Sequence, residues 1–303
     1  MSVIDLNDYS VELMTAAGVL KAVDSVALTL EAGKTVTIIG ESGSGKSTTA
    51  MSLLGLLDHG LAVSSGKASL LGVDAVKDRR GVDALRGRRV GLIPQDPMTA
   101  LSPVHTVGAQ LRQAVRRGRP GTSKADAARV AVELLGSVRI PEPETQVKKY
   151  PHQFSGGMLQ RVLIAIALAA EPEILVADEP TSALDVTVQA SVLDLLLELQ
   201  ERTGVAILLI THDLGVARLM SDTIHVMRRG RFVESGPADR LVNDPQEEYT
   251  RKLLAAVPSM TDAPAVAGAK GPTASGRRRA DAGHAESDTD SAAPAAANEG
   301  EAR

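Results

Sequence analysis

The chain has 303 residues, of which only 3 are Tyr and 2 Phe, with no Trp and no Cys, and 33 basic against 37 acidic side chains give a net charge of −4. The lack of cysteine excludes a disulfide scaffold, a zinc ribbon and a thiolate iron–sulfur site, and the shortage of aromatics argues against a base-stacking surface. The mild charge gives no reason to expect a nucleic-acid partner, and a core that Leu, Val, Ile and Ala must fill almost alone favours a layered α/β build.

Residues 1–10 carry Asp5 and Asp8 and no basic segment, so no signal peptide is expected. The longest uninterrupted apolar run, 162–170, is nine residues long. A membrane-spanning helix needs about twenty. The first clear strand is the β-branched run 35–39, and a helix is predicted over 48–57. Between them lies Gly40-Glu41-Ser42-Gly43-Ser44-Gly45-Lys46-Ser47, which fits G-x-x-x-x-G-K-[ST]. Glycines let such a loop wrap a phosphate with its N–H groups turned inward. Lys46 supplies a cation to the β and γ phosphates, Ser47 can ligate Mg²⁺, and the helix opening near Thr48 offers its positive end. The loop is therefore expected to bind a nucleoside triphosphate.

A second strand is predicted at 90–93, followed closely by Gln95. The pattern then turns helical, with helical spacing of Leu, Val and Ala over 107–117 and 124–138, and a helical lobe is expected over about 97–165. Near its end, Phe154-Ser155-Gly156-Gly157-Met158 precedes a helix that starts at Leu159. A third strand, 173–177, runs into Asp178 and Glu179. Two carboxylates ending an apolar strand need partners. In a phosphate-loop fold the first holds Mg²⁺ directly or through water, and the second can polarise a water in line with the γ phosphate. A cap for the next helix is the less favoured alternative, even for the pair on its own.

A fourth strand, 205–210, leads to His212, which in isolation reads as a strand-end residue capping the helix that follows. Composition then changes after Pro258. Among residues 261–303, 14 of 43 are Ala and none is Leu, Ile, Met or aromatic. Such a segment buries too little apolar area to offset its ordering entropy. The expected organisation is one domain over 1–258 and a disordered Ala-rich tail over 259–303.

In combination these segments resemble the ABC-type ATPases. The stretch around Ser155 resembles the family's signature sequence and Gln95-Asp96-Pro97 its Q-loop. Ser182-Ala183-Leu184-Asp185 is similar to the D-loop, and His212 to the switch histidine. The resemblance runs from residue 6 to about 258. It implies an α/β phosphate-loop nucleotide-binding domain with a mostly parallel sheet core, an N-terminal antiparallel β part and an inserted helical lobe.

It also implies two ATPase subunits paired head to tail. Lys46, Ser47, Gln95, Asp178, Glu179 and His212 of one subunit, with Ser155, Gly156, Gly157 and Met158 of the other, would enclose one ATP. Mg²⁺ would be held by Ser47, Gln95 and Asp178. Glu179 would be the general base, and His212 would contact the γ phosphate and orient the water.

Three stretches are similar to the peptide and nickel importer branch: 95–103, 150–158 and Tyr249-Thr250-Arg251-Lys252-Leu253-Leu254. The branch implies a peripheral subunit on the cytoplasmic face of the cell membrane. It would drive uptake of di- or oligopeptides through two separate transmembrane permease subunits, with a solute-binding protein delivering the cargo. Leu159-Gln160-Arg161 is closer to importers of nickel or metal–metallophore complexes, which stay as an alternative. A non-transport cytosolic ABC ATPase is the rival of another class, although the interval from Ser47 to Ser155 leaves no room for a long coiled coil. Where the branch carries an aromatic residue for adenine, alignment puts Leu13, with Tyr9 expected to pack in the sheet. Base selectivity is then expected to be looser.

Overall fold

The computed structural model describes residues 1–58, 60–182 and 184–255. The expected tail at 259–303 and the D-loop's Ala183 lie outside the described residues. The chain opens on a long antiparallel hairpin, β1 (Ser2–Thr15) and β2 (Gly18–Glu31). Next come β3 (Thr35–Ile39), α1 (Lys46–Leu53), β4 (Ala62–Leu70), β5 (Val73–Asp74), α2 (Arg79–Leu85) and β6 (Val90–Ile93).

A helical insertion follows: α3 (Pro97–Ala100), α4 (Val107–Gly118), α5 (Lys124–Ser137), α6 (Pro143–Gln146), a 3₁₀ turn (Pro151–Gln153) and α7 (Gly156–Leu168). The chain then returns through β7 (Ile174–Asp178), α8 (Val186–Thr203), β8 (Ala206–Thr211) and α9 (Leu214–Met220). It closes with the hairpin β9 (Thr223–Arg228) and β10 (Arg231–Pro237), then α10 (Ala238–Asn243) and α11 (Glu248–Ala255).

Two sheets result. β2-β1-β4-β5 is antiparallel throughout, and β10-β9-β3-β8-β7-β6 is parallel except for the edge pair β9–β10. The four predicted strands are β3, β6, β7 and β8, neighbours in the second sheet apart from the crossing order. Their uniformly apolar runs suit a sheet covered on both faces. Successive side chains alternate between two cores, as strand geometry requires. On β7 and β8, Leu175, Ala177, Ile207 and Leu209 join the core built by α4, α5, α7 and α8. Ile174, Val176, Ala206, Leu208 and Ile210 join the core shared with α1 and the antiparallel sheet. Each such fully buried Leu or Ile contributes about 1.5–3 kcal/mol.

Two helices differ from the sequence expectation, and the one expected to start at Leu159 begins at Gly156. The helix predicted over 48–57 begins at Lys46 and ends at Leu53. It starts early because the phosphate loop supplies its first turn. It stops early because Gly55 N–H bonds to Ser52 O (2.9 Å) and Leu56 N–H to Met51 O (2.8 Å), a closure that uses the last carbonyls. Among the described residues no helix is long and apolar enough to cross a membrane.

Candidate functional site

All parallel strands of the second sheet end on one side, so the residues just past β3, β6, β7 and β8 are brought together. Crevices beyond such strand ends are where α/β proteins bind ligands. Gly40–Ser47 follows β3, Gln95 follows β6, Asp178 ends β7 with Glu179 just past it, and His212 follows β8.

The phosphate loop is tightly framed. Gly40 (φ 153°) and Gly45 (φ 111°) adopt backbone conformations that L side chains rarely accept. A Cβ on Gly40 would collide with the Met227 carbonyl and lie 2.9 Å from Ser44 Oγ, and one on Gly45 would strike the Ala22 carbonyl. Gly230 N–H donates to Ser44 O (2.8 Å) from the turn between β9 and β10. Inside the loop, Lys46 Nζ donates to Gly40 O (2.8 Å) and Glu41 O (2.9 Å). Burial depresses the Lys46 pKa, while the charges of Glu179 and Asp178 oppose that fall. Ser44 Oγ is buried and has no hydrogen-bond partner among the described residues. A ring of backbone around a buried cation, with an orphaned hydroxyl, fits an anionic phosphate chain.

Beside the loop, Ser47 Oγ donates to Asp178 Oδ1 at 2.9 Å. Burial raises the Asp178 pKa, the Ser47 hydrogen bond lowers it, and the Glu179 charge raises it again. A hydroxyl and a carboxylate in contact are hard oxygen donors of the kind Mg²⁺ takes with phosphate oxygens and water. Gln95 lies instead on the second acid, its Nε2 donating to Glu179 Oε2 at 3.0 Å, so only its amide oxygen remains to offer a metal. His212 Nδ1 approaches the same Oε2 at 3.3 Å. Glu179 itself stands at φ 47°, a conformation uncommon for a side-chain-bearing residue and concentrated at functional sites.

Neither of the capping alternatives describes these residues. Asp185 caps α8, accepting from Val188 N–H (3.0 Å), and Asp213 caps α9, accepting from Val216 N–H (3.1 Å). That leaves the side chains of Asp178, Glu179 and His212 free for the crevice.

The remaining predicted residues have other surroundings. Ser155 caps α7, accepting from Met158 N–H (3.4 Å). A Cβ on Gly157 would run into Val188 on α8, whereas one on Gly156 would meet, among the described residues, only Leu184, at 3.9 Å. Ser182 Oγ donates to Glu179 O (3.2 Å), which ties the D-loop to the acidic strand end. Thr48 lies in the first turn of α1 and Ser42 is exposed beside Glu41. Tyr9 is fully buried, with its hydroxyl 3.0 Å from Ser52 Oγ and 3.3 Å from Ser64 Oγ. It packs in the sheet as expected, and Leu13 is half-buried.

The sequence reading missed the backing of the loop by Ala22, Met227 and Gly230. Their only local signal was the Arg-Arg-Gly turn at 228–230, which says nothing about what it touches.

The ABC transporter family model matches residues 23–182. The dipeptide transport ATP-binding protein DppD of Lactococcus lactis is 43% identical over 259 residues, covering 85% of this chain and 74% of the relative. DppD of Bacillus subtilis is 44% identical over 263 residues, covering 85% and 77%. Among solved structures, the dimeric ATP-binding cassette MJ0796, in a post-hydrolysis state bound to ADP and Pi, superposes with a TM-score of 0.68 at 28% identity. It covers 78% of this chain and 98% of that one. With the phosphate loop, acidic strand end and inserted helices in the family's arrangement, the chain belongs to the ABC transporter family, as one of its ATP-hydrolysing cassettes.

Proposed function

We propose that this cassette drives peptide import through separate membrane permease chains, working as one half of a head-to-tail ATPase pair. The observation that carries the hydrolytic site is the meeting of Gln95 and His212 on a single oxygen of Glu179. A carboxylate held from two sides is positioned to orient a water molecule. Glu179 accepts the water's proton as its oxygen bonds to the γ phosphorus and the bond to the bridging oxygen breaks, leaving with ADP. Gln95 and His212 orient that water.

Lys46 exchanges its bonds to Gly40 O and Glu41 O for the β and γ phosphates. The amides of 40–48 surround those phosphates. Ser47, Asp178 and the Gln95 amide oxygen are the groups that would hold Mg²⁺. When bound, that ion offsets phosphate charge.

Ser155, Gly156, Gly157 and Met158 open α7, with the first-turn amides of Gly156 and Gly157 left without an intrahelical carbonyl partner. They serve the partner subunit's ATP, with Ser182, Leu184 and Asp185 at the pairing face. The dimeric state of the related cassette supports that arrangement. The ATPase domain is assigned to 1–258, its lobe to about 97–165, and its seat to the cytoplasmic face of the membrane. The relatives' names support peptide as the cargo over nickel.

Met98 and Val104, beside the Q-loop, are 56% and 75% exposed and provide an apolar contact for a permease chain. The test is dipeptide uptake by the transporter reconstituted with its permeases, comparing the native chain with Met98→Glu. Uptake is expected to fall about tenfold or more, a loss of roughly 1.4 kcal/mol of coupling, while the isolated chain still hydrolyses ATP. Unaltered uptake would misplace the permease contact, and uptake of Ni²⁺ but not dipeptide would overturn the cargo.

A further inference from the structure

We propose that Tyr249 is a positioning residue for ATP binding, holding the outer limb of the phosphate loop through its hydroxyl. This rests on the loop at 40–47 being the ATP site.

The Tyr249 hydroxyl accepts a hydrogen bond from Glu41 N–H at 3.4 Å. The other end of the same residue, Glu41 O, accepts from Lys46 Nζ at 2.9 Å. Tyr249, Glu41 and Lys46 thus form one chain of contacts, running from the last described helix into the phosphate site. The positions are 208 apart in sequence at the Tyr249–Glu41 link, so the contact exists only in the folded chain.

Tyr249 is itself firmly seated. It is 9% exposed and belongs to the core of Ile39, Leu214, Val226 and Leu241, in which Ile39 immediately precedes the loop. The Arg228 guanidinium lies 4.6 Å from its ring centroid, within reach of a cation–π interaction. Just before α11, Gln246 N–H (2.8 Å) and Glu247 N–H (3.2 Å) donate to the Glu234 carboxylate, so β10 fixes the start of the helix. Gly230 N–H holds the opposite limb of the loop at Ser44 O (2.8 Å). The loop is therefore braced at both limbs by the chain from β9 to α11. Glu41 is exposed on its outer side and has no helix or strand to restrain it. A loop already held in shape loses less freedom when ATP binds, and affinity rises accordingly.

Tyr249→Phe keeps the ring, its packing and its cation, and removes only the hydroxyl. The test measures equilibrium binding of a fluorescent ATP analogue to the full chain, with hydrogen exchange at 41–44 and thermal melting on the same samples. Affinity is expected to fall about three- to tenfold, the size of one neutral hydrogen bond. Exchange at 41–44 should quicken, and melting should stay within about 2 °C of the native chain. In turnover, KM for ATP should rise by the same factor while kcat stays within about twofold.

Native affinity with native exchange would overturn the proposal. So would a loss accompanied by a lowered melting temperature and faster exchange throughout α11, which is a packing defect. Lys46→Ala is the control for the site. If that variant binds as the native chain does, the ATP-site reading fails; if it loses binding and Tyr249→Phe does not, only the role of Tyr249 fails.

Discussion

Ser47 donates its hydroxyl to Asp178 across 2.9 Å, although 131 positions separate the two residues. The bond joins the start of α1 to the end of β7 and places a hydroxyl against a carboxylate that burial makes reluctant to ionise. That reluctance has a cost in stability.

Because the folded-state pKa of Asp178 is raised, the native state binds this proton more tightly than the unfolded chain. Stability from this group is present below the unfolded carboxylate range and is lost as pH rises through the folded pKa. At pH 7.5, Asp178→Asn should raise the melting temperature of the nucleotide-free chain by roughly 2–4 °C, about 1 kcal/mol. It should also abolish the extra stabilisation that Mg²⁺ adds to ATP. Melting curves with ATP, with and without Mg²⁺, check both parts.

His225 gives the opposite sign. Burial lowers its pKa from 6.5 to about 4, with Nδ1 2.7 Å from Ser235 Oγ and the ring 4.7 Å from that of Phe232. The unfolded chain therefore takes up this proton first as pH falls. Native stability should decline between pH 6.5 and 4, by up to about 3 kcal/mol from this residue. Denaturant melts across that range should show His225→Asn losing distinctly less stability than the native chain.

Gly157 packs where a side chain cannot. A Cβ there meets Val188 on α8, while one on Gly156 meets, among the described residues, only Leu184 at 3.9 Å. Gly157→Ala should destabilise the domain by about 1–3 kcal/mol and shift the signature helix against the D-loop helix. Gly156→Ala should change stability by less than about 0.5 kcal/mol. Urea titrations of the two variants give the comparison.

The resemblance aligns Leu13 with the position where the branch uses an aromatic ring, and Tyr9 is buried in the sheet. Leu13→Tyr should therefore tighten ATP binding at least about fivefold, since one base–aromatic stack is worth about 1–3 kcal/mol. The native chain should discriminate poorly between ATP and GTP. Competition binding with both nucleotides measures each effect.

The site was legible in sequence because each part sits next to its own strand. Gly40–Ser47 follows a β-branched run, and Asp178-Glu179 and His212 follow aliphatic ones, so parallel pairing alone brings them to one edge. The scaffold behind the loop was not legible. Met227, Gly230 and Tyr249 touch it through contacts that no local pattern encodes. The end of α1 was misjudged for a similar reason. Leu54, Leu56 and Leu57 continue the apolar pattern, but the closing hydrogen bonds at Gly55 and Leu56 outweigh it. The helix caps, the alternative reading of the acidic pair and of His212, belong to Asp185 and Asp213 instead.

The central claim is that Glu179, held by Gln95 and His212, is the general base of ATP hydrolysis. The direct measurement is Glu179→Gln, assayed for ATP turnover and for subunit association by size-exclusion chromatography with Mg²⁺ and ATP. The account predicts ATP binding at native affinity, turnover reduced about 10²- to 10⁴-fold, the usual contribution of a general base, and a trapped dimer. Turnover at the native rate would contradict it.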